Sequence, residues 1–415
     1  MKVLYLNPDR GIPVLGDKGA SVHVREFVTG ATALGHDVVL ACARLGSGNA
    51  PPPARILPLE VRDDNAFLED ACRLLGLESH YLGNPTARRE IVLLAYDLGL
   101  PERLLLDLAT MGFAPDVLYE RHTLFSSSGA TIAAHLGVPR ILEVNAPLVA
   151  EQATHRGLFL TDLALTKEAE SYRNADVIIA VSEAVAAHVR SVTRSTGEVR
   201  VIANGVDVAR FGSTGSRQMI RTQLGLGDEE VVGFVGSFKT WHGVGQLLEA
   251  FERVLRKHPN ARLIALGDGP ELPALRTRAA SSAYASQILF PGRVPHCEIP
   301  HWLAAMDLTV APYLPQEDFY FSPLKIVESL AAARPVVAPR IGQIADLIAD
   351  GTTGLLYTPG SVEGCAEAIC TLLNEPDRCA AMGQAGRRLA IGRDWKNVVA
   401  QVLASIDSPI VEQSA

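Results

Sequence analysis

The chain has 415 residues, 48% hydrophobic and 20% charged, a composition that fits a globular protein of two domains and excludes disordered and fibrous classes. Its 38 Lys+Arg stand against 46 Asp+Glu, for a formal charge of -8, so it lacks the basic face that a nucleic-acid binder turns to phosphates. The six cysteines form no CxxC pair and have no matching His cluster, so they read as thiols in a reducing compartment, and no metal is expected.

The N-terminus MKVLYLNP is a strand pattern without the apolar run or cleavage site of a signal peptide. No stretch reaches the ~20 apolar residues that a membrane helix needs, so a cytoplasmic protein is expected. A strand over residues 3–6 leads into a loop over 7–19, a helix starting near Ala20, and a strand over 38–41. The loop ends in Gly16-Asp17-Lys18-Gly19 at the helix N-terminus, where Gly19 permits close approach of a phosphate or an acceptor. Residues 45–57, rich in Gly, Ala and Pro, read as a loop, and 65–110 as mainly helical. Arg88-Arg89 is the nearest thing to a basic patch here and reads as a solvated pair, which leaves peripheral membrane contact open.

Strands over 116–119 and 140–144 follow. Arg121-His122 comes after the first and Glu143-Val144-Asn145 closes the second, both at carboxyl ends where a polyol acceptor could be bound. A lone His at such an edge is as readily structural as catalytic, and Glu120 is equally readily structural. A buried strand over 175–181 closes the first half. The composition turns polar over 191–197, a short strand over 199–202 leads into Asn204-Gly205-Val206-Asp207, and the interdomain hinge is placed near here.

In the second half strands are expected at 231–235, 262–266, 287–290, 308–311, 335–338 and 354–357, with helices near 243–257, 270–280, 298–306, 323–333, 342–349 and 361–375. This alternation predicts an α/β protein of two Rossmann-like doubly wound domains, with ligands at strand carboxyl ends and a central cleft as the natural site. The expected domains are 1–198, 199–385 and a C-terminal helical segment 386–415.

Chemistry concentrates in the second half. Ser322 suits an N-cap and Pro323 the first helical position, so this helix aims its free N–H groups and positive dipole end at a phosphate. Lys325 and Glu328 share a face of it: a cation for a diphosphate, and a carboxylate that accepts from both hydroxyls of a ribose. The bland alternative is a surface Lys–Glu pair. Glycine loops end three strands at the same edge: Gly233 to Gly243 with Gly236, Ser237, Lys239 and His242; Gly267-Asp268-Gly269-Pro270; and Gly292-Arg293-Val294. Each loop alone is weak, since glycine serves turn geometry in any α/β protein. Three loops and a cationic helix start on one edge are harder to obtain by chance.

The run SPLKIVESLAAARPVVAP, with GSFKTWHG, GDGP, FPGRVP, NGVD and the N-terminal KGASVHVRE, resembles glycosyltransferase family 4, over nearly the whole chain. The resemblance implies the GT-B fold and retaining transfer of a hexosyl unit from a nucleoside-diphosphate sugar, a UDP-sugar being favoured, to a hydroxylated acceptor, without an essential metal or cofactor. It implies that Glu328 binds the ribose hydroxyls, that the backbone over Phe321, Ser322, Pro323 and Leu324 meets the diphosphate or sugar, that Lys239 and His242 lie in the phosphate loop, and that Arg293 and Val294 flank the base. The C-terminal helix is implied to return to the first domain. Two positions depart from the family pattern: the first of its paired glutamates falls on Tyr320, and its phosphate-loop Arg and Lys fall on Ser237 and His242. Rival readings are a nucleotide-sugar epimerase or a glycosyl phosphorylase on the same fold, and a non-catalytic nucleotide-sugar-binding relative. A dehydrogenase is disfavoured because the first strand runs into NPDRGIPVLGDKG and not GxGxxG. Donor base, acceptor and oligomeric state are not set by the sequence.

Overall fold

A computed structural model describes residues 1–193, 198–212, 217–316 and 318–406. Its contacts divide the chain into two units, Met1–Ala203 with Val398 onward, and Asn204–Asn397.

The first unit holds seven parallel strands: β1 (Lys2–Asn7), β2 (Asp37–Cys42), β3 (Arg55–Pro58), β4 (Val117–Arg121), β5 (Arg140–Val144), β6 (Val177–Ala180) and β7 (Glu198–Val201). Their order is β3-β2-β1-β4-β5-β6-β7, so the chain reverses direction across the sheet between β1 and β4. β4, β5 and β6 are buried along their whole length, as strands covered by helices on both faces are. Leu4 and Leu6 pack with Val39 and Leu118 on one face. On the other, Tyr5 meets the edge of Phe27, and Phe27 stacks on Tyr119 with ring centroids 4.1 Å apart.

The second unit holds six parallel strands: β8 (Val231–Val235), β9 (Arg262–Leu266), β10 (Ile288–Gly292), β11 (Leu308–Val310), β12 (Val336–Pro339) and β13 (Gly354–Tyr357). Their order, β10-β9-β8-β11-β12-β13, again reverses at one point, between β8 and β11. Successive residues of a strand face opposite layers. Val232 and Phe234 accordingly lie in one core cluster and Val231 in the other.

Three features differ from the sequence expectations. Residues 45–57 were expected as a loop, yet β3 begins within that stretch and pairs with β2 as an edge strand, with Val39 opposite Arg55. The short strand near 199 belongs to the first sheet, where Val177 pairs with Glu198, so the division falls at Ala203/Asn204 and not at 198. Residues 386–397 group with the second unit, the return to the first beginning at Val398. Part of the polar stretch expected to hold the hinge, 194–197, lies outside the described residues, as do 407–415 of the C-terminal segment. No described helix is long and apolar enough to cross a membrane.

Candidate nucleotide-sugar site

At the carboxyl edge of the second sheet, three glycine loops are layered on one another. Gly236 N–H donates to the Leu266 carbonyl at 3.0 Å, and Gly267 N–H donates to Gly292 at 2.9 Å. Gly267 (φ +136°) leaves no room for a side chain, since a Cβ there would lie 1.8 Å from the Gly236 carbonyl oxygen. Gly269 (φ +159°) is also pressed against backbone, a Cβ there lying 2.6 Å from the nitrogen of Phe238, whose N–H donates to the Asp268 carbonyl at 2.9 Å. The glycines serve backbone-to-backbone approach along the sheet edge.

The helix that meets this edge spans Leu324–Ala331. It starts one residue later than expected. Pro323 takes the N-cap position with extended geometry and no side-chain cap, so the first turn keeps its N–H groups uncapped by any side chain. Ser322 does not cap the helix. Its hydroxyl instead accepts from Asn204 N–H at 3.2 Å, and its carbonyl accepts from the Asn204 side-chain amide at 2.7 Å.

Lys325 is aimed back at the glycine ledge. Its ammonium nitrogen lies 4.6 Å from the Phe234 ring centroid and 5.0 Å from that of Tyr313, and it is sealed from solvent with no hydrogen-bond partner among the described residues. A Cβ at Gly236 would come within 2.4 Å of that nitrogen. Burial drives the lysine pKa down to about 7, and the Glu328 charge only partly restores it.

Glu328, on the same helix and buried, accepts a hydrogen bond from His296 Nε2 at 2.7 Å. His296 opens the short turn His296–Glu298 that follows β10. Sequence reasoning missed it, because no local motif pairs residues thirty-two positions apart.

His242 is a correction. It was expected to reach a diphosphate as the stand-in for a family lysine. Its Nδ1 is instead bonded to the Ser237 carbonyl and lies 3.2 Å from the Ser237 hydroxyl. Burial, the neighbouring Lys325 charge and Lys239 hold its pKa down to about 3, so the ring is neutral and adds no cation. Lys239 lies over the Trp241 ring at 4.6 Å, Arg293 is exposed, and Val294 packs partly into the core. Tyr320, where the family places its first glutamate, stands against Phe321 with centroids 4.4 Å apart, and Phe321 joins Tyr313 and Phe319 in an aromatic cluster. The NGVD motif proves to be a packing device: Gly205 leaves space for the Trp395 ring, and Asp207 caps the helix Val208–Phe211.

In the first unit, Glu143 is the centre of the polar groups at the carboxyl edge. It is 1% exposed and accepts from His23 Nε2 at 2.9 Å, Arg121 at 3.1 Å, the Tyr119 hydroxyl and the Asn145 amide. Burial would raise its pKa, but His23 and Arg121 outweigh it and hold it at about 2. Arg121 and Asn145 are therefore anchored to one carboxylate and share its edge of the sheet. Glu120 is structural: it is buried in an ion pair with Arg140 at 2.7 Å, beneath Gly129, whose missing side chain makes room for it. His122 lies in a buried cluster and not on an open edge, its ring 5.0 Å from Tyr172, and burial lowers its pKa to about 4. Lys18 and Gly19 are exposed at the start of the helix Gly19–Ala33, and the Gly16 carbonyl accepts from the Arg25 guanidinium.

Two doubly wound parallel sheets, the second edged with glycine loops and a lysine-bearing helix start, make this a GT-B protein, and known structures agree. It superposes on Anabaena HepE, solved with UDP and glucose, with a TM-score of 0.70 at 19% identity over 99% of this chain and 100% of that one. The match to sucrose-phosphate synthase from Thermosynechococcus elongatus has a TM-score of 0.71 at 19% identity, over 98% of each chain. Two family models match the sequence, Glycosyltransferase Family 4 over residues 18–210 and Glycosyl transferases group 1 over residues 229–375. The chain belongs to this family of glycosyltransferases. It is 28% identical over 322 residues to the sulfoquinovosyl transferase SQD2 of Arabidopsis thaliana, a match spanning 74% of this chain but only 58% of that protein. To glycogen synthase of Mycobacterium tuberculosis it is 26% identical over 416 residues, 96% of this chain and 92% of the relative.

Proposed function

We propose that the protein is a retaining hexosyltransferase that takes its sugar from a nucleoside-diphosphate donor bound by the second unit and passes it to a hydroxyl of an acceptor bound by the first. The observation that carries this reading is the Lys325 amine, buried without a hydrogen-bond partner among the described residues, between a glycine ledge and a helix start that no described side chain caps. An isolated buried cation is costly, and a pyrophosphate supplies the acceptors it lacks. Glu328, one turn along the helix, is placed for the adjoining ribose. A UDP-sugar is the favoured donor, a choice supported by the fold neighbour solved with UDP-glucose.

In the proposed reaction the bond from the anomeric carbon to the diphosphate oxygen breaks while the acceptor oxygen bonds that carbon from the same face. The departing diphosphate takes the acceptor's proton. The protein contributes position and stabilisation of the charge that develops on the leaving group, through Lys325 and the N–H groups at the start of the Leu324 helix. This positive charge is supplied without a metal, so transfer is expected to persist in EDTA. Lys325→Ala and Glu328→Ala are each expected to lower transfer by ~10²–10³ with the fold intact. Thermal-shift measurements across UDP-, GDP- and ADP-sugars, followed by NMR assignment of the product anomer, test the reading. Full activity of both variants on the true substrates would refute it. No observation favours the epimerase alternative.

A further inference from the structure

We infer that His296 is a positioning residue for donor binding: it holds one oxygen of the Glu328 carboxylate and thereby presents the other to the ribose diol. The inference rests on the donor-site reading above and names what orients that site.

The His296–Glu328 pair is largely enclosed, with side-chain exposures of 11% and 10%, and its N···O distance is 2.7 Å. Only Oε1 of the carboxylate receives the imidazole. An ionised carboxylate offers about four acceptor positions. One hydrogen bond therefore leaves Oε2 and most of that capacity open, and no described residue bonds Oε2. The imidazole is itself held: its ring lies 5.9 Å from the buried Phe211 ring at an interplanar angle of 56°. Its backbone is set by the short turn in which Glu298 N–H donates to the Pro295 carbonyl at 3.0 Å. A glutamate side chain has three rotatable bonds, and fixing them before the ligand arrives removes a cost that binding would otherwise carry. His296 also follows Arg293 and Val294 on the loop after β10, so one loop would flank the base and set the carboxylate that reads the ribose.

The test uses the full chain and whichever of UDP, GDP or ADP gives the largest thermal shift, titrated beside its 2′-deoxy counterpart. His296→Ala is expected to weaken binding of the ribonucleotide on the order of tenfold. It should raise KM for the donor with kcat within about twofold of the parent, and erase most of the preference for ribose over deoxyribose. His296→Gln, whose amide nitrogen donates from nearly the same place as Nε2, is expected to restore most of that preference. The discrimination ratio separates positioning from a packing defect, which would weaken both nucleotides alike. Unchanged or tighter binding by His296→Ala would overturn the inference, because the imidazole would then be neutral to the ribose or in its way. So would a ribose preference that survives the substitution. If Glu328→Ala itself leaves the preference intact, it is the donor-site assignment that fails.

Discussion

A lysine amine buried among aromatic rings with no hydrogen-bond partner among the described residues has a measurable signature, and Lys325 carries it. In the folded chain its proton is lost near pH 7, whereas unfolded it is kept up to the ordinary 10.5, so between these values the unfolded state binds more protons. Stability of the ligand-free protein is expected to rise with pH across that window through this group, and Lys325→Met to flatten the rise. Urea melts of both proteins at several pH values check it. A bound pyrophosphate favours the ammonium, so donor affinity should weaken as pH climbs above about 7, which calorimetric titration of a nucleotide sugar would show. At Gly267 the constraint is steric. A methyl group there meets the Gly236 carbonyl at 1.8 Å in a backbone conformation that alanine resists, so Gly267→Ala is expected to cost about 2–4 kcal/mol and to abolish nucleotide binding. At this scale the sequence is a partial guide. The roles of Gly236, Lys325 and Glu328 are suggested by residue type and spacing. Those of His296, His23 and Tyr119 are not, because each depends on a partner twenty or more positions away.

Elements were more legible than contacts. Strands β4, β5, β8 and β9 announce themselves as short apolar runs because helices cover both faces of a parallel sheet. β3 did not, since it is an edge strand whose residues are only partly buried and so carry no apolar signature. The helix Pro376–Ile391 was also missed. Its few buried positions include two glycines, Gly383 and Gly386, which fit against Ala333 and Leu330, and glycine reads as a helix breaker. The expected cap at Ser322 failed for another reason: Asn204, 118 positions earlier, competes for the same hydroxyl and carbonyl. The motif around Gly205 makes a prediction of its own. Trp395 is 4% exposed and lies against that glycine, and its backbone N–H bonds the Val206 carbonyl at 3.2 Å. Trp395→Ala is expected to destabilise the second unit by about 3–5 kcal/mol, read from denaturant midpoints.

At the scale of the molecule, the second unit is a continuous stretch, Asn204–Asn397, with a core cluster on each face of its sheet. Excised at those limits it is expected to fold and to bind the nucleoside diphosphate. A ligand at 100 times its dissociation constant should stabilise it by ~2.7 kcal/mol, a shift visible in a thermal melt. Failure of the fragment to bind would move the donor site off this unit. The first unit is not continuous, since it takes in the chain from Val398 onward. Its order of assembly during synthesis follows from that. A ribosome adding roughly 5–20 residues per second needs on the order of 10–40 s to make the roughly 200 residues that separate the two parts of this unit. For that interval the second unit can mature while the first, although made earlier, waits for the chain from Val398 onward, so of the two units the one begun first is completed later.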